Sequence, residues 1–187
     1  MTRLLARLFL RLSGWKPEGR PPAARRFVLI AAPHTSNWDL ALLLALARLY
    51  RVRVSWMGKH SLFRGPMGWA MRRLGGIPVR RDRSNDLVSQ MALVIERSSS
   101  IALTVPAEGT RSYTSHWKSG FYHIARRAGV PVVLGFLDYP RRRGGFGPEI
   151  VLTGNVREDM DEIRAFYEGK RGRFPEKQGE ILLKEER

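Results

Sequence analysis

The sequence predicts an α/β protein: a single-domain sandwich with a mixed, largely parallel central sheet flanked by helices, plus an N-terminal amphipathic helix. Three observations predict it. The runs FVLIAA at 27–32, IALTV at 101–105 and VPVVLGFL at 130–137 have the length and apolar content of buried strands. Helix-like stretches separate them, and strands alternating with helices favour a sheet between helical layers. The 187 residues, 43% of them apolar, suffice for one packed core and show no internal repeat or second domain.

In chain order, residues 1–26 read as an amphipathic helix and linker, 27–170 as the main domain, and 171–187 as a polar tail. Arg3, Arg7 and Arg11 recur every four residues and share one helix face, while Leu4, Leu5, Leu8 and Leu12 line another beside Phe9. This pattern suits a helix lying among lipid headgroups and equally one packed on its own domain. Gly14, Pro17, Gly19, Pro21 and Pro22 predict a linker. After the strand at 27–32, the unbroken apolar stretch 37–50 predicts a helix. A strand is expected at 52–57 and a helix over 62–74, with Pro66 in its first turn. Residues 77–79 form a short extended piece. Ser84 caps a helix running to Arg97. A helix at 119–128 follows the strand at 101–105, and Gly129 ends it. A last strand is expected at 149–153 and a last helix at 158–168. Beyond Gly169 a loose polar tail is expected.

Charge narrows the partners. Lys and Arg number 33 against 17 Asp and Glu, a net +16, which favours anionic lipid, an acidic carrier protein or nucleic acid. Arg141 to Arg143 read as a solvated loop that can touch anionic lipid or an acidic carrier. The absence of cysteine rules out disulfides, Cys-ligated metal and an acyl-cysteine intermediate. The longest apolar run, Leu40 to Ala47, is far short of a membrane span. Arg7 and Arg11 interrupt any signal-peptide core. The expected location is cytoplasmic, peripheral on the inner face of the cell membrane.

His34 directly follows the first buried strand, and Asp39 falls in the first turn of the next helix. In sheets flanked by helices, active sites gather at the carboxyl ends of strands. A carboxylate there can hold one imidazole nitrogen and leave the other to take a proton. Asp39 with Ser36 also fits an ordinary capping box, so the pair alone leaves both readings open.

Three further blocks follow in order. H-T-S-N-W-D at 34–39 is similar to the H-x-x-x-x-D motif of the glycerolipid acyltransferases, the family of lysophosphatidic acid acyltransferase. L-G-G-I-P-V-R-R at 74–81 resembles its second block, P-A-E-G-T-R-S at 106–112 its third, and V-P-V-V at 130–133 its fourth. W-M-G-K-H near residue 56 and W-K-S-G-F-Y at 117–122 resemble short bacterial members. Two blocks depart from the pattern: Arg80 stands where Asp is usual, and Pro106-Ala107 where Phe-Pro is usual.

The resemblance implies a role for each matching residue. His34 is the general base and Asp39 its orienting partner. Arg81 binds an acceptor phosphate or other anion. Glu108, Gly109, Thr110 and Arg111 bind the acceptor, with Glu108 either on acceptor hydroxyls or paired with arginines to hold its loop. Val130 and Pro131 shape the acyl-donor side. Lys118 and Lys59 are further candidates for a phosphate. No cofactor and no metal are implied; His60, His116 and His123 show no ligand spacing with carboxylates. Acyl-CoA or acyl-carrier protein is the co-substrate, and a lysophospholipid, by default 1-acylglycerol-3-phosphate, is the acceptor.

The chemistry is self-consistent. A thiolate leaves readily, so an activated hydroxyl can attack the thioester directly, and a positioned His supplies roughly 10²–10⁴ in rate. Within this reading a lyso-aminolipid is the alternative acceptor. A nucleic-acid-binding module is the rival of another class, but no helix-turn-helix, zinc-finger or RNP-like pattern accompanies the charge. A serine hydrolase lacks its G-x-S-x-G elbow.

Overall fold

The computed structural model describes residues 2–79 and 84–186. A seven-stranded sheet, in the order β1-β7-β6-β2-β5-β3-β4, forms its centre. The strands are β1 (Lys16–Gly19), β2 (Arg26–Ala32), β3 (Val54–Lys59), β4 (Gly76–Val79), β5 (Ile101–Val105), β6 (Val132–Asp138) and β7 (Arg143–Ile150). Every neighbouring pair is parallel except β6–β7, which is antiparallel. The expected mixed, largely parallel sandwich is thus observed.

Burial explains the central strands. Both faces of β2, β5 and β6 are covered, so their side chains are buried almost without alternation. One face carries Val28, Ile30, Leu103 and Leu134 against α4 (Ser84–Glu96), α5 (Gly120–Ala128) and α6 (Val156–Tyr167). The other carries Phe27, Leu29 and Val133 against Leu43, Leu44 and Ala47 of α2 (Trp38–Leu49). Gly129 ends α5 at φ +60°, a left-handed cap that glycine adopts without a Cβ clash.

Two stretches differ from expectation. The predicted linker contains β1, which pairs with β7 from Lys16↔Arg143 to Gly19↔Phe146. β7 itself starts at Arg143, six residues ahead of the expected strand. β1, KPEG, is an edge strand and β7, RGGFGPEI, lies between it and β6; neither has an apolar run to reveal it. The tail is not loose: Leu183 is fully buried, and Trp117 N–H donates to Leu182 O at 2.9 Å. Phe174 N–H donates to Thr35 Oγ1 at 3.2 Å, so the tail braces the loop after β2. Gly65 divides the expected helix at 62–74 into a 3₁₀ turn (His60–Phe63) and α3 (Gly65–Arg73).

The N-terminal helix α1 (Arg3–Leu12) begins at Thr2, whose hydroxyl caps Leu5 N–H. It packs on α2 through Ala6 and Leu10. Leu4, Leu5, Leu8 and Leu12 remain 74, 54, 48 and 79% exposed. A narrow face thus meets the domain, and a wider apolar stripe does not. Among the described residues no helix is long and apolar enough to cross a membrane.

Candidate active site

Four strands deliver loops to one edge of the sheet: β2 ends at His34, β5 at Pro106–Arg111, β3 at Lys59 and β6 at Tyr139. β2 is the middle strand, so its loop meets the others. His34 Nδ1 lies 3.1 Å from Asp39 Oδ2. The imidazole is 22% exposed and the carboxylate 6%. That oxygen also accepts Thr35 N–H at 3.0 Å and Ser36 N–H at 2.9 Å, while Oδ1 accepts the Tyr139 hydroxyl at 2.6 Å. Asp39 therefore closes the loop into α2 and faces the imidazole at once. The capping-box reading is met in half: Asp39 accepts Ser36 N–H, while Ser36 Oγ accepts Trp38 N–H rather than the N–H of Asp39.

A cavity of about 600 Å³ opens beside His34, within the ~300–1,000 Å³ typical of ligand sites. Its polar wall includes His34, Asn37, Lys59, Thr110 and Arg111. Its apolar wall follows α2 through Leu40, Leu43 and Leu46 to Leu29 and Phe146 on the sheet. Gly135 and Gly145 leave part of the strand floor without side chains.

The predicted residues are distributed unevenly. Gly109, Thr110 and Arg111 line the cavity with His34 and Asp39. Gly109 takes φ +69°, and a Cβ there would come 3.0 Å from Lys118 Cγ; glycine permits the tight turn. Lys118 braces this loop, its N–H donating to Ala107 O at 2.7 Å, and it is not among the described cavity-lining residues. Val130 and Pro131 stand at the amino end of β6, where Pro131 O accepts Val28 N–H at 3.1 Å. That is the sheet edge opposite His34, so their placement gives no contact with the cavity. Arg81 lies outside the described residues.

Glu108 differs from its leading expectation. Its side chain does not line the cavity among the described residues. It points inward, 4% exposed, and Oε1 accepts His34 N–H at 2.9 Å. It clamps the backbone of the histidine rather than reaching for an acceptor. Oε2 is buried with no hydrogen-bond partner among the described residues. Desolvation pushes its carboxyl above the ordinary carboxylate range, opposed by the bond from His34 N–H.

Sequence reading paired Ser36 with Asp39 only as a cap, and missed Thr35 and Tyr139. Thr35 and Ser36 act on Asp39 through backbone N–H groups, which any residue type supplies. Tyr139 follows a strand end, the same signal that marked His34.

A family model described as Acyltransferase matches residues 17–133. The chain belongs to the acyltransferase family. It is an O-acyltransferase, taking an acyl donor and an acceptor, as the four ordered motifs imply. No curated protein matches this acyltransferase. Among solved structures it is similar to 1-acyl-sn-glycerophosphate (LPA) acyltransferase, PlsC, from Thermotoga maritima. The identity is 18%, the match covers 86% of this chain and 74% of that one, and the TM-score is 0.56. At that identity the likeness establishes the shared fold.

The raised Glu108 pKa gives the acyltransferase a pH-dependent stability. A folded pKa above the unfolded one means the folded state holds the proton more tightly. The associated stability is complete below the ordinary carboxylate value and is lost as pH rises through the raised one. Glu108→Gln keeps an acceptor for His34 N–H and cannot ionise. Its Tm, followed by circular dichroism, should fall less than wild type as pH rises above the ordinary carboxylate range, so the gap between the two widens with pH. Equal pH slopes would contradict the assignment.

Proposed function

We propose that this enzyme transfers a fatty acyl group from acyl-CoA or acyl-carrier protein to the free hydroxyl of a lysophospholipid at a membrane surface, with 1-acylglycerol-3-phosphate the default acceptor. The observation that carries the reading is the His34–Asp39 contact at the mouth of an apolar cavity. Asp39 accepts Nδ1–H and so fixes the tautomer, leaving Nε2 to take the proton from the acceptor hydroxyl. The oxygen attacks the thioester carbonyl, the tetrahedral intermediate collapses, and the thiolate leaves with the proton returned from the imidazolium. The fatty chain lies along Leu40, Leu43 and Leu46 towards Phe146. Arg111, exposed on the cavity rim, suits an anionic headgroup through two parallel hydrogen bonds. The name of the similar solved structure, an LPA acyltransferase, supports the same acceptor.

The exposed leucine stripe of α1, flanked by Arg3, Arg7 and Arg11, supports a peripheral membrane position on the cytoplasmic face. Apolar side chains enter the acyl boundary while guanidinium groups meet phosphates. The test uses vesicles of neutral or anionic lipid carrying lysophosphatidate or a lyso-aminolipid, with acyl-CoA supplied in solution. Turnover should be fastest with lysophosphatidate in anionic vesicles. The variant with Leu4, Leu5 and Leu8 changed to Gln keeps the buried Ala6 and Leu10 contacts, and should lose vesicle flotation and most turnover there. Preference for the lyso-aminolipid would replace the acceptor. Unchanged flotation would remove the role of α1.

A further inference from the structure

Asp39 is held more firmly than its motif requires. Three donors, His34 Nδ1, Thr35 N–H and Ser36 N–H, converge on Oδ2. They pin one oxygen but not the carboxylate plane, because the terminal torsion of Asp is broad. A second anchor on Oδ1 sets that plane, and with it the lone pair aimed at the imidazole. Among the described bonds, that anchor is the Tyr139 hydroxyl at 2.6 Å.

Tyr139 is itself clamped from both ends of the chain. Its backbone N–H donates to Arg171 O in the C-terminal segment at 2.9 Å. Its ring meets Trp15 edge-to-face, with centroids 4.9 Å apart at 88°. Trp15 follows α1 directly, is 8% exposed, and packs with Leu10 of α1 and Leu42 and Leu46 of α2. Tyr139, Trp15 and Arg171 all fall outside the segment matched to the family, 17–133. Burial, then the bond to Asp39 and its charge, raises the phenol far above its ordinary pKa. The hydroxyl therefore remains a donor at any working pH.

We propose that Tyr139 is a positioning residue that orients Asp39 and, through it, His34, with Trp15 holding the phenol in place. The proposal rests on the reading of His34 as the base. It makes the α1 end of the chain and the C-terminal segment joint supports of the dyad.

The test is Tyr139→Phe in the full-length chain, which keeps the ring against Trp15. Loss of one hydrogen bond to a charged group predicts a fall in kcat of about 10- to 100-fold, with both KM values within about twofold. In an Asp39→Ala background the same substitution should change kcat by less than about twofold, because the phenol acts only through that carboxylate. Trp15→Phe retains the hydroxyl and should lower kcat less than Tyr139→Phe, again at constant KM. It decides the matter if Tyr139→Phe does not fold. A Tyr139→Phe enzyme with wild-type kcat, or an equal loss in both backgrounds, overturns the positioning role. His34→Ala with full activity would instead overturn the dyad reading beneath it, and that variant is assayed alongside.

Discussion

Replacing His34 with alanine should lower kcat/KM by about 10²–10⁴, the range supplied by a positioned general base. Among the described cavity-lining residues no other histidine stands in for it. The side chain removed is only partly buried, at 22% exposure, and its backbone N–H still donates to Glu108. The fold should therefore survive, and circular dichroism should match wild type. Binding of a nonhydrolysable acyl-CoA analogue should be nearly unchanged, since the acyl wall is formed by α2 and the sheet. A variant that binds donor normally and fails to turn over separates chemistry from binding. Full retained activity would leave the dyad without a role.

Substituting Leu43 with tryptophan should change which acyl chains are used. Leu43 lines the cavity from α2 and is only half-buried, so the larger ring has space to enter. Each methylene kept from apolar contact forfeits about 0.8 kcal/mol. Blocking four methylenes removes about 3 kcal/mol, or roughly 200-fold in kcat/KM for long chains. Short chains that stop before Leu43 should be almost unaffected, so the preference shifts towards them. Competition between acyl-CoA donors of two lengths reads this ratio directly. An equal loss at every length would show that the chain lies elsewhere.

What was legible in the sequence follows from range. β2, β5 and β6 announced themselves because strands buried on both faces must be continuously apolar. His34 and Asp39 were visible because five residues span the whole interaction. The reciprocal use of Asp39, as loop closure and as imidazole partner, also follows from that short spacing. β1 and β7 were hidden or shortened because neither carries an apolar run: KPEG is an edge strand that forms by pairing with β7, and RGGFGPEI is rich in glycine. The tail read as loose because Ile181, Leu182 and Leu183 make only a three-residue apolar run in a polar stretch; only the fold shows Leu183 sealed in the core.

The loop after β5 shows the same limit. Gly109, Thr110 and Arg111 of its motif line the cavity. It could not tell which way Glu108 points, because that depends on the backbone of His34, 74 residues earlier. Val130 and Pro131 match a motif, yet the strand direction of β6 sets them at the far edge. Tyr139 lies 100 residues from Asp39, beyond any local pattern.

On the proposed mechanism a lipid hydroxyl, deprotonated at His34, attacks the thioester directly. Thiol release from acyl-CoA tests this step, with lysophosphatidate or with its analogue lacking the free hydroxyl. Direct transfer predicts one acylated lipid per thiol released with the first acceptor, and background release with the second or after His34→Ala. Thiol release that ignores the acceptor hydroxyl, or survives loss of the imidazole, would contradict it.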